Sequence, residues 1–186
     1  MFNRVIGIVL TAGAVVFVLL LAGVGSPVLT DDPPEVSPYA APSTGGEGEL
    51  MVSAVGFGDA GYVEVRNVGD GDAALDGYWL CQFPTYHPIS GTLGPSETIR
   101  FPTAETDLGS LDNAAGEIGL YRAESFDDPS AIVAYVEWGE AGHRRSSTAV
   151  EAGVWTEGSA VDAAGAAAIV ATEDAPTSAA GWTAGS

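Results

Sequence analysis

In Tyr62-Val63-Glu64-Val65-Arg66, two valines alternate with an aromatic, an acidic and a basic side chain. Successive side chains of a β-strand point to opposite faces, so Val63 and Val65 line one face and the other three residues line the opposite one. The pattern therefore predicts a half-buried strand. A cluster of turn residues follows at 67–72 and is expected to end it.

Similar runs recur along the rest of the chain. They predict strands at residues 77–83, 97–101, 117–121 and 131–138, separated by glycine, proline and asparagine. Several short strands with turn signals between them predict an all-β sandwich or barrel. Residues 149–155 and 163–171 are two further apolar patches. We expect them to form late strands or an extension that wraps the domain and covers a sheet edge, although the alanine-rich second patch is also compatible with a helix.

An uncharged segment precedes this domain. Its most apolar part, residues 5–24, follows the single basic residue Arg4. As a helix it would span about 30 Å, the thickness of the hydrocarbon core of a membrane. Residues 1–30 are therefore predicted to be an uncleaved transmembrane anchor, with Arg4 in the cytoplasm and the rest of the chain outside. The alternative is a cleaved signal peptide and a secreted protein.

Residues 31–48 are rich in proline, glycine and serine, which is typical of a disordered linker. The chain has no lysine, and 25 acidic residues against five arginines follow Arg4, a net charge of −20. Such a surface repels nucleic acid and anionic membranes, so binding of DNA or RNA is excluded. Solubility in salty surroundings explains the excess of acids, and binding of cations or of a basic partner is the alternative.

The stretch from Val63 to Trp138 resembles the lamin tail domain, a family of nuclear lamins and of many secreted bacterial and archaeal proteins. Five segments in order carry the resemblance: Val63-Glu64-Val65-Arg66-Asn67, Leu75-Asp76-Gly77-Tyr78-Trp79-Leu80, Gly91-Thr92-Leu93-Gly94-Pro95-Ser96-Glu97, Leu111-Asp112-Asn113 with Gly116 to Leu120, and Ile132 to Trp138. This chain departs from the family at Ser96, where a glycine is usual. It departs again at Tyr78, an extra aromatic before Trp79.

The resemblance implies an immunoglobulin-like β-sandwich over residues 49–140, with Trp79 in its core. It also implies a non-enzymatic module used for display or for protein–protein contact. Residues 141–186 continue beyond the family pattern, and we expect them to add strands that pack on the sandwich.

One turn of the predicted domain is rich in carboxylates. Asp70, Asp72 and Asp76 place oxygen ligands close together in sequence, which makes them candidates for a weak calcium site. The helix-loop-helix calcium signature fails there, because position 74 is alanine. The alternative is a hairpin turn that uses aspartate and glycine for backbone reasons alone.

The remaining reactive residues are few. Cys81 is the single cysteine and lies in an apolar run, so we expect a buried, inert thiol. His87 and His143 lack the spacing of a zinc site with Cys81, and no nucleophile motif accompanies either of them. His143, Arg144 and Arg145 form a basic spot that is either a solvated turn or a contact for self-association.

The sequence thus predicts a membrane-anchored extracytoplasmic module for protein–protein interaction or cell-envelope structure, without a catalytic site. Its partner is an envelope protein or a second copy of the chain. The alternatives are a weak calcium-binding surface protein and a secreted enzyme, or accessory subunit, with an unrecognised site. Calcium is the only cofactor that the sequence suggests.

Overall fold

The computed structural model describes residues 48–185. This part of the chain is all-β, with one short α-helix, α1 (Ser146–Glu151), and three single turns of 3₁₀ helix. The strands are β1 (Leu50–Gly56), β2 (Tyr62–Asn67), β3 (Ala73–Ala74), β4 (Tyr78–Gln82), β5 (Thr85–Ile89), β6 (Thr92–Leu93), β7 (Thr98–Pro102), β8 (Gly116–Tyr121), β9 (Ile132–Trp138), β10 (Ala168–Ala171) and β11 (Trp182–Gly185).

The strands form antiparallel sheets. One sheet has five strands in the order β11-β10-β1-β2-β7, a second has four in the order β5-β4-β8-β9, and β3 pairs with β6 in a small third sheet. Strand β1 contacts both β8 and β9, so the two large sheets pack face to face in a sandwich-like arrangement. All five strands predicted from the sequence at residues 62–66, 77–83, 97–101, 117–121 and 131–138 are confirmed, as β2, β4, β7, β8 and β9.

The core between the sheets is built from alternate residues of paired strands. Val63 and Val65 of β2 are fully buried, as the alternation predicts. On the opposing sheet, Leu80 pairs with Leu120, and both are fully buried. Trp138 closes one end of this core through a tilted contact with Phe57, at 5.3 Å between ring centroids.

The prediction that Trp79 is a core residue is wrong. Trp79 is only half-buried and pairs with Tyr121 on β8, one position away from the buried pair of Leu80 and Leu120. Because side chains alternate along a strand, Trp79 points away from the five-stranded sheet. Its ring instead meets the edge of Phe126, at 6.0 Å between centroids.

The chain beyond residue 140 contributes to both sides of the structure. Strand β10, within the patch 163–171, pairs with β1 and extends the five-stranded sheet, and β11 pairs with β10. The first patch is not a strand, because residues 146–151 form α1. We call residues 141–155 the cover segment, since its main-chain and side-chain groups bond to the outer face of the four-stranded sheet.

The predicted anchor (residues 1–30) and nearly all of the predicted linker (residues 31–48) lie outside the described residues. Within residues 48–185, no helix has the length and apolar character needed to cross a membrane.

Candidate functional site

Two glutamates meet on the outer face of the four-stranded sheet. Glu117 of β8 pairs in register with Glu137 of β9, and both are buried. Ile118 and Val136, the next pair along, lie on the inner face. The alternation of the strands therefore turns both carboxyl groups toward the cover segment.

Glu137 is fully buried and receives hydrogen bonds on both carboxyl oxygens. The main-chain N–H groups of Gly142 and His143 donate to Oε2 at 3.1 Å and 3.0 Å. The Ser146 hydroxyl and the Trp155 indole N–H each donate to Oε1 at 3.1 Å. A buried carboxylate is tolerated when donors of this kind satisfy its oxygens. Hydrogen bonds to Glu137 therefore hold the cover segment against the four-stranded sheet.

Glu117 is joined to Glu137 through one phenol. The Tyr135 hydroxyl lies 2.8 Å from Glu117 Oε2 and 3.1 Å from Glu137 Oε2. The main-chain N–H of Arg145 also donates to Glu117 Oε2, at 2.8 Å. Burial raises the pKa of the Glu117 carboxyl, and these two hydrogen bonds oppose that effect only in part.

Arg145 is 4% exposed, so the prediction of a solvated basic turn at residues 143–145 is wrong for this residue. Its guanidinium bonds to the Asp127 carboxylate through Nη1, and Nη2 donates to the Tyr86 hydroxyl at 2.7 Å. Its Cζ also lies 5.5 Å from the Phe83 ring centre and 5.9 Å from that of Phe126. These contacts fit the preference of arginine for aromatic faces and carboxylates. Arg144, by contrast, is 54% exposed, and its Nη2 lies 3.3 Å from the same Asp127 carboxylate.

Two more titratable groups belong to this outer face. Cys81 and Tyr121 are fully buried, as expected for the thiol. Burial, with a smaller effect of the Glu117 charge, raises the pKa of Cys81 to about 12. Burial likewise raises the pKa of the Tyr121 and Tyr135 hydroxyls. A thiol with this pKa is held as the unreactive protonated form.

The cover segment has its own local order. Gly153, two residues after the end of helix α1, has a left-handed backbone conformation. Its N–H donates to the Val150 carbonyl, and the N–H of Val154 donates to the Ala149 carbonyl. This pair of bonds is the Schellman motif, which satisfies the last carbonyls of a helix. The turn directs Trp155 back to Glu137. The glycine two residues after the helix is the signal in the sequence that marks this ending.

The predicted calcium ligands lie elsewhere. Asp70, Asp72 and Asp76 are all exposed, and no group of three His, Cys, Asp or Glu residues between 48 and 185 is arranged to hold a metal ion. The side chain of Asn67 organises their turn, accepting from the Gly69 N–H and donating to the Gly71 carbonyl. The calcium site stays a prediction from the sequence, and the hydrogen bonds that shape this turn come from Asn67 and not from the three aspartates.

The two histidines are not brought together with Cys81. His87 lies 3.3 Å from Asp107, and His143 Nε2 lies 3.3 Å from the Trp138 carbonyl oxygen. The groups whose pKa is raised by burial, Glu117, Cys81, Tyr121 and Tyr135, instead lie on the outer face of the four-stranded sheet. Perturbed groups mark a reactive site when a substrate can reach them, and these four are buried.

Sequence reasoning did not identify Glu117, Tyr135, Glu137 or Arg145 as a cluster. The only signal was the pair of glutamates inside apolar strands, since a charged residue at such a position is normally solvated. Comparison of the chain with family models, curated proteins and solved structures gives no match.

Proposed function

We propose that this chain is a membrane-anchored, extracytoplasmic module of the lamin-tail, immunoglobulin-like type, which acts in protein–protein contact or cell-envelope structure and is not an enzyme. The observation that carries the proposal is the closure of the Glu117–Glu137 cluster. Both oxygens of Glu137 and Oε2 of Glu117 accept hydrogen bonds from the chain itself, and both glutamates are buried. A catalytic carboxyl pair needs a cleft that admits substrate.

A patch at the tip of the β4–β5 hairpin supports the part of the proposal that concerns partners. Phe83 is 42% exposed, one of two large apolar side chains exposed to this degree in residues 48–185. Arg144 Cζ lies 5.8 Å from its ring centre. An open depression of about 660 Å³, lined in part by Tyr86, Phe126 and Arg145, adjoins it. Exposed aromatic and arginine side chains are enriched at protein interfaces.

The charge around this patch is mixed, because Glu124 and Asp128 line the same depression as Arg145. Arg144 is exposed and Arg145 is buried, and both are paired with the Asp127 carboxylate. The partner, an envelope protein or a second copy of the chain, therefore has to complement both signs of charge at this patch. Nucleic acid stays excluded from the proposal by the net charge of the chain.

Capture of partners from envelope extract tests the interaction. We expect the double substitution Phe83→Ser with Arg144→Glu to lose the partner that the unchanged protein retains. The matched control is Val170→Ser with Arg122→Glu, which alters an exposed apolar residue and an exposed arginine away from the hairpin tip. Equal capture by both double variants would remove the patch from the proposal.

The anchor is tested separately by protease treatment of intact cells. The unbroken apolar run at residues 5–24 leads us to expect loss of the domain and retention of a membrane-bound stub. A mature N-terminus near residue 26 in the medium would show that the segment is cleaved and the protein secreted. That result would leave the interaction proposal untouched.

A further inference from the structure

If both glutamates are ionised, the carboxyl cluster has too few protons to make a hydrogen bond at each of its short oxygen–oxygen contacts. A phenol has a single O–H, yet Tyr135 lies within hydrogen-bond distance of both Glu117 Oε2 and Glu137 Oε2. If both glutamates were ionised, one carboxylate oxygen would face a lone pair of the phenol oxygen. Two buried negative charges would then stand on paired residues. Either feature is costly in a low-dielectric interior.

One extra proton removes the conflict. If Glu117 Oε2 carries this proton, its O–H donates a hydrogen bond to the Tyr135 oxygen. The Tyr135 O–H then donates a hydrogen bond to Glu137 Oε2. Oε2 of Glu117 keeps a lone pair for the main-chain N–H of Arg145, which lies 2.8 Å away. Placing the proton on Glu137 instead of Glu117 is less favourable, because the Glu137 carboxylate already accepts four hydrogen bonds from the cover segment.

We propose that Glu117 keeps its proton in the folded protein over a pH range in which ordinary glutamates are ionised, and that this proton latches the cover segment (residues 141–155) onto the sheet. The latch is the chain of hydrogen bonds from Glu117 through Tyr135 to Glu137. Loss of the proton leaves an uncompensated charge under the cover segment. That charge is relieved when the segment lifts and admits water.

The other charged and titratable groups around Glu117 agree with this assignment. Tyr121 of β8 and Cys81 of β4 have raised pKa values and stay neutral. The guanidinium of Arg145 is bonded to Asp127 and Tyr86, and His143 of the cover segment opposes the proton only through its charge. Burial is the first cause of the raised pKa of Glu117, and the Glu137 charge adds to it.

The direction of the pH dependence follows from linkage. A group whose pKa is higher in the folded state binds its proton more tightly there, so its contribution to stability is complete below the unfolded pKa of about 4.5. The contribution is lost as the pH rises from that value through the folded pKa. We therefore expect the cover segment to loosen as the pH increases across this window.

The direct test is a ¹³C titration of the glutamate side-chain carboxyl groups in the full-length protein by NMR. We expect one glutamate, assigned through its proximity to Tyr135, to titrate at a clearly higher pH than all the others. Its signal should be absent from Glu117→Gln and retained in Glu151→Gln, which alters an exposed glutamate of the same cover segment. If every glutamate of the unchanged protein titrates near its ordinary value, the proposal is wrong.

Amide hydrogen exchange tests the latch itself. With intrinsic rates corrected for pH, protection of the Gly142, His143 and Arg145 amides should fall by an order of magnitude or more as the pH rises through the midpoint for Glu117. The Ile118 amide, in the core strand β8, should keep its protection. Glu117→Gln should abolish the pH dependence at the three cover amides. Protection that is independent of pH in the unchanged protein would overturn the latch.

Discussion

The side-chain amide of Asn67, at the end of β2, donates a hydrogen bond of 3.0 Å to the carbonyl oxygen of Leu93 in β6. Asn67 is fully buried and makes three further bonds. Its Nδ2 also donates to the Gly71 carbonyl, and its Oδ1 accepts from the N–H groups of Glu49 and Gly69. One side chain thus joins the start of β1, the turn after β2, and the small β3–β6 sheet.

We expect Asn67→Ala to destabilise the protein by about 3 kcal/mol or more, since each buried hydrogen bond contributes about 1 kcal/mol and its partners are left unsatisfied. Urea denaturation measures the change in the free energy of unfolding. Asn113→Ala is the matched control, because the half-buried Asn113 makes a single bond of 2.9 Å, to the Ala166 carbonyl. Its cost should be about 1 kcal/mol. Equal losses would contradict the role assigned to Asn67.

Two tryptophans of the four-stranded sheet should respond differently to truncation. Trp138 is fully buried and its indole N–H donates to the Asp112 carbonyl at 2.7 Å, so Trp138→Ala should cost about 3–5 kcal/mol. Trp79 is half-buried against Phe126, and its loss should cost about 2 kcal/mol, including an aromatic pair of about 1 kcal/mol. The free energies of unfolding of the two variants decide the ranking. A larger loss at Trp79 would place it in the core after all.

Salt should stabilise the protein. The net charge of −20 beyond Arg4 makes the compact state self-repulsive, and the Debye length falls from about 10 Å at 0.1 M salt to about 3 Å at 1 M. We expect the melting temperature to rise with sodium chloride and with potassium chloride alike, because screening does not distinguish monovalent cations. A melting temperature that stays flat from about 0.1 to 2 M salt, well beyond the range in which screening acts, would contradict this account.

Calcium at constant ionic strength should add nothing to that effect. Asp70, Asp72 and Asp76 are exposed, and the residues from 48 to 185 contain no group of three His, Cys, Asp or Glu side chains placed to hold a metal ion. We therefore expect equal melting temperatures with and without millimolar calcium, in both the unchanged protein and Asp72→Asn. A calcium-dependent rise that Asp72→Asn abolishes would establish the site, since a ligand that binds the folded state raises its stability by mass action.

Local patterns were sufficient to predict most of the large-sheet strands. Val63 and Val65 alternate with polar neighbours, and such a period of two is a property of the strand alone. Strand β1 escaped prediction because all seven of its residues are buried, which removes the alternation. Helix α1 escaped because six residues are too few to show a helical period.

The sequence by itself thus determined the all-β class of the domain, its main strands and its excess of acids, because alternation, turn residues and charge are local quantities. The tertiary structure alone decided which face of each strand is covered. Strand β8 of the four-stranded sheet is buried on both faces, so Glu117 lies inside, and Arg145 is buried in the cover segment above it, although both residue types favour solvent. The encounter of Glu117, Tyr135 and Glu137 depends on pairing between β8 and β9 and on a cover segment that follows both, and no local pattern specifies such long-range contacts.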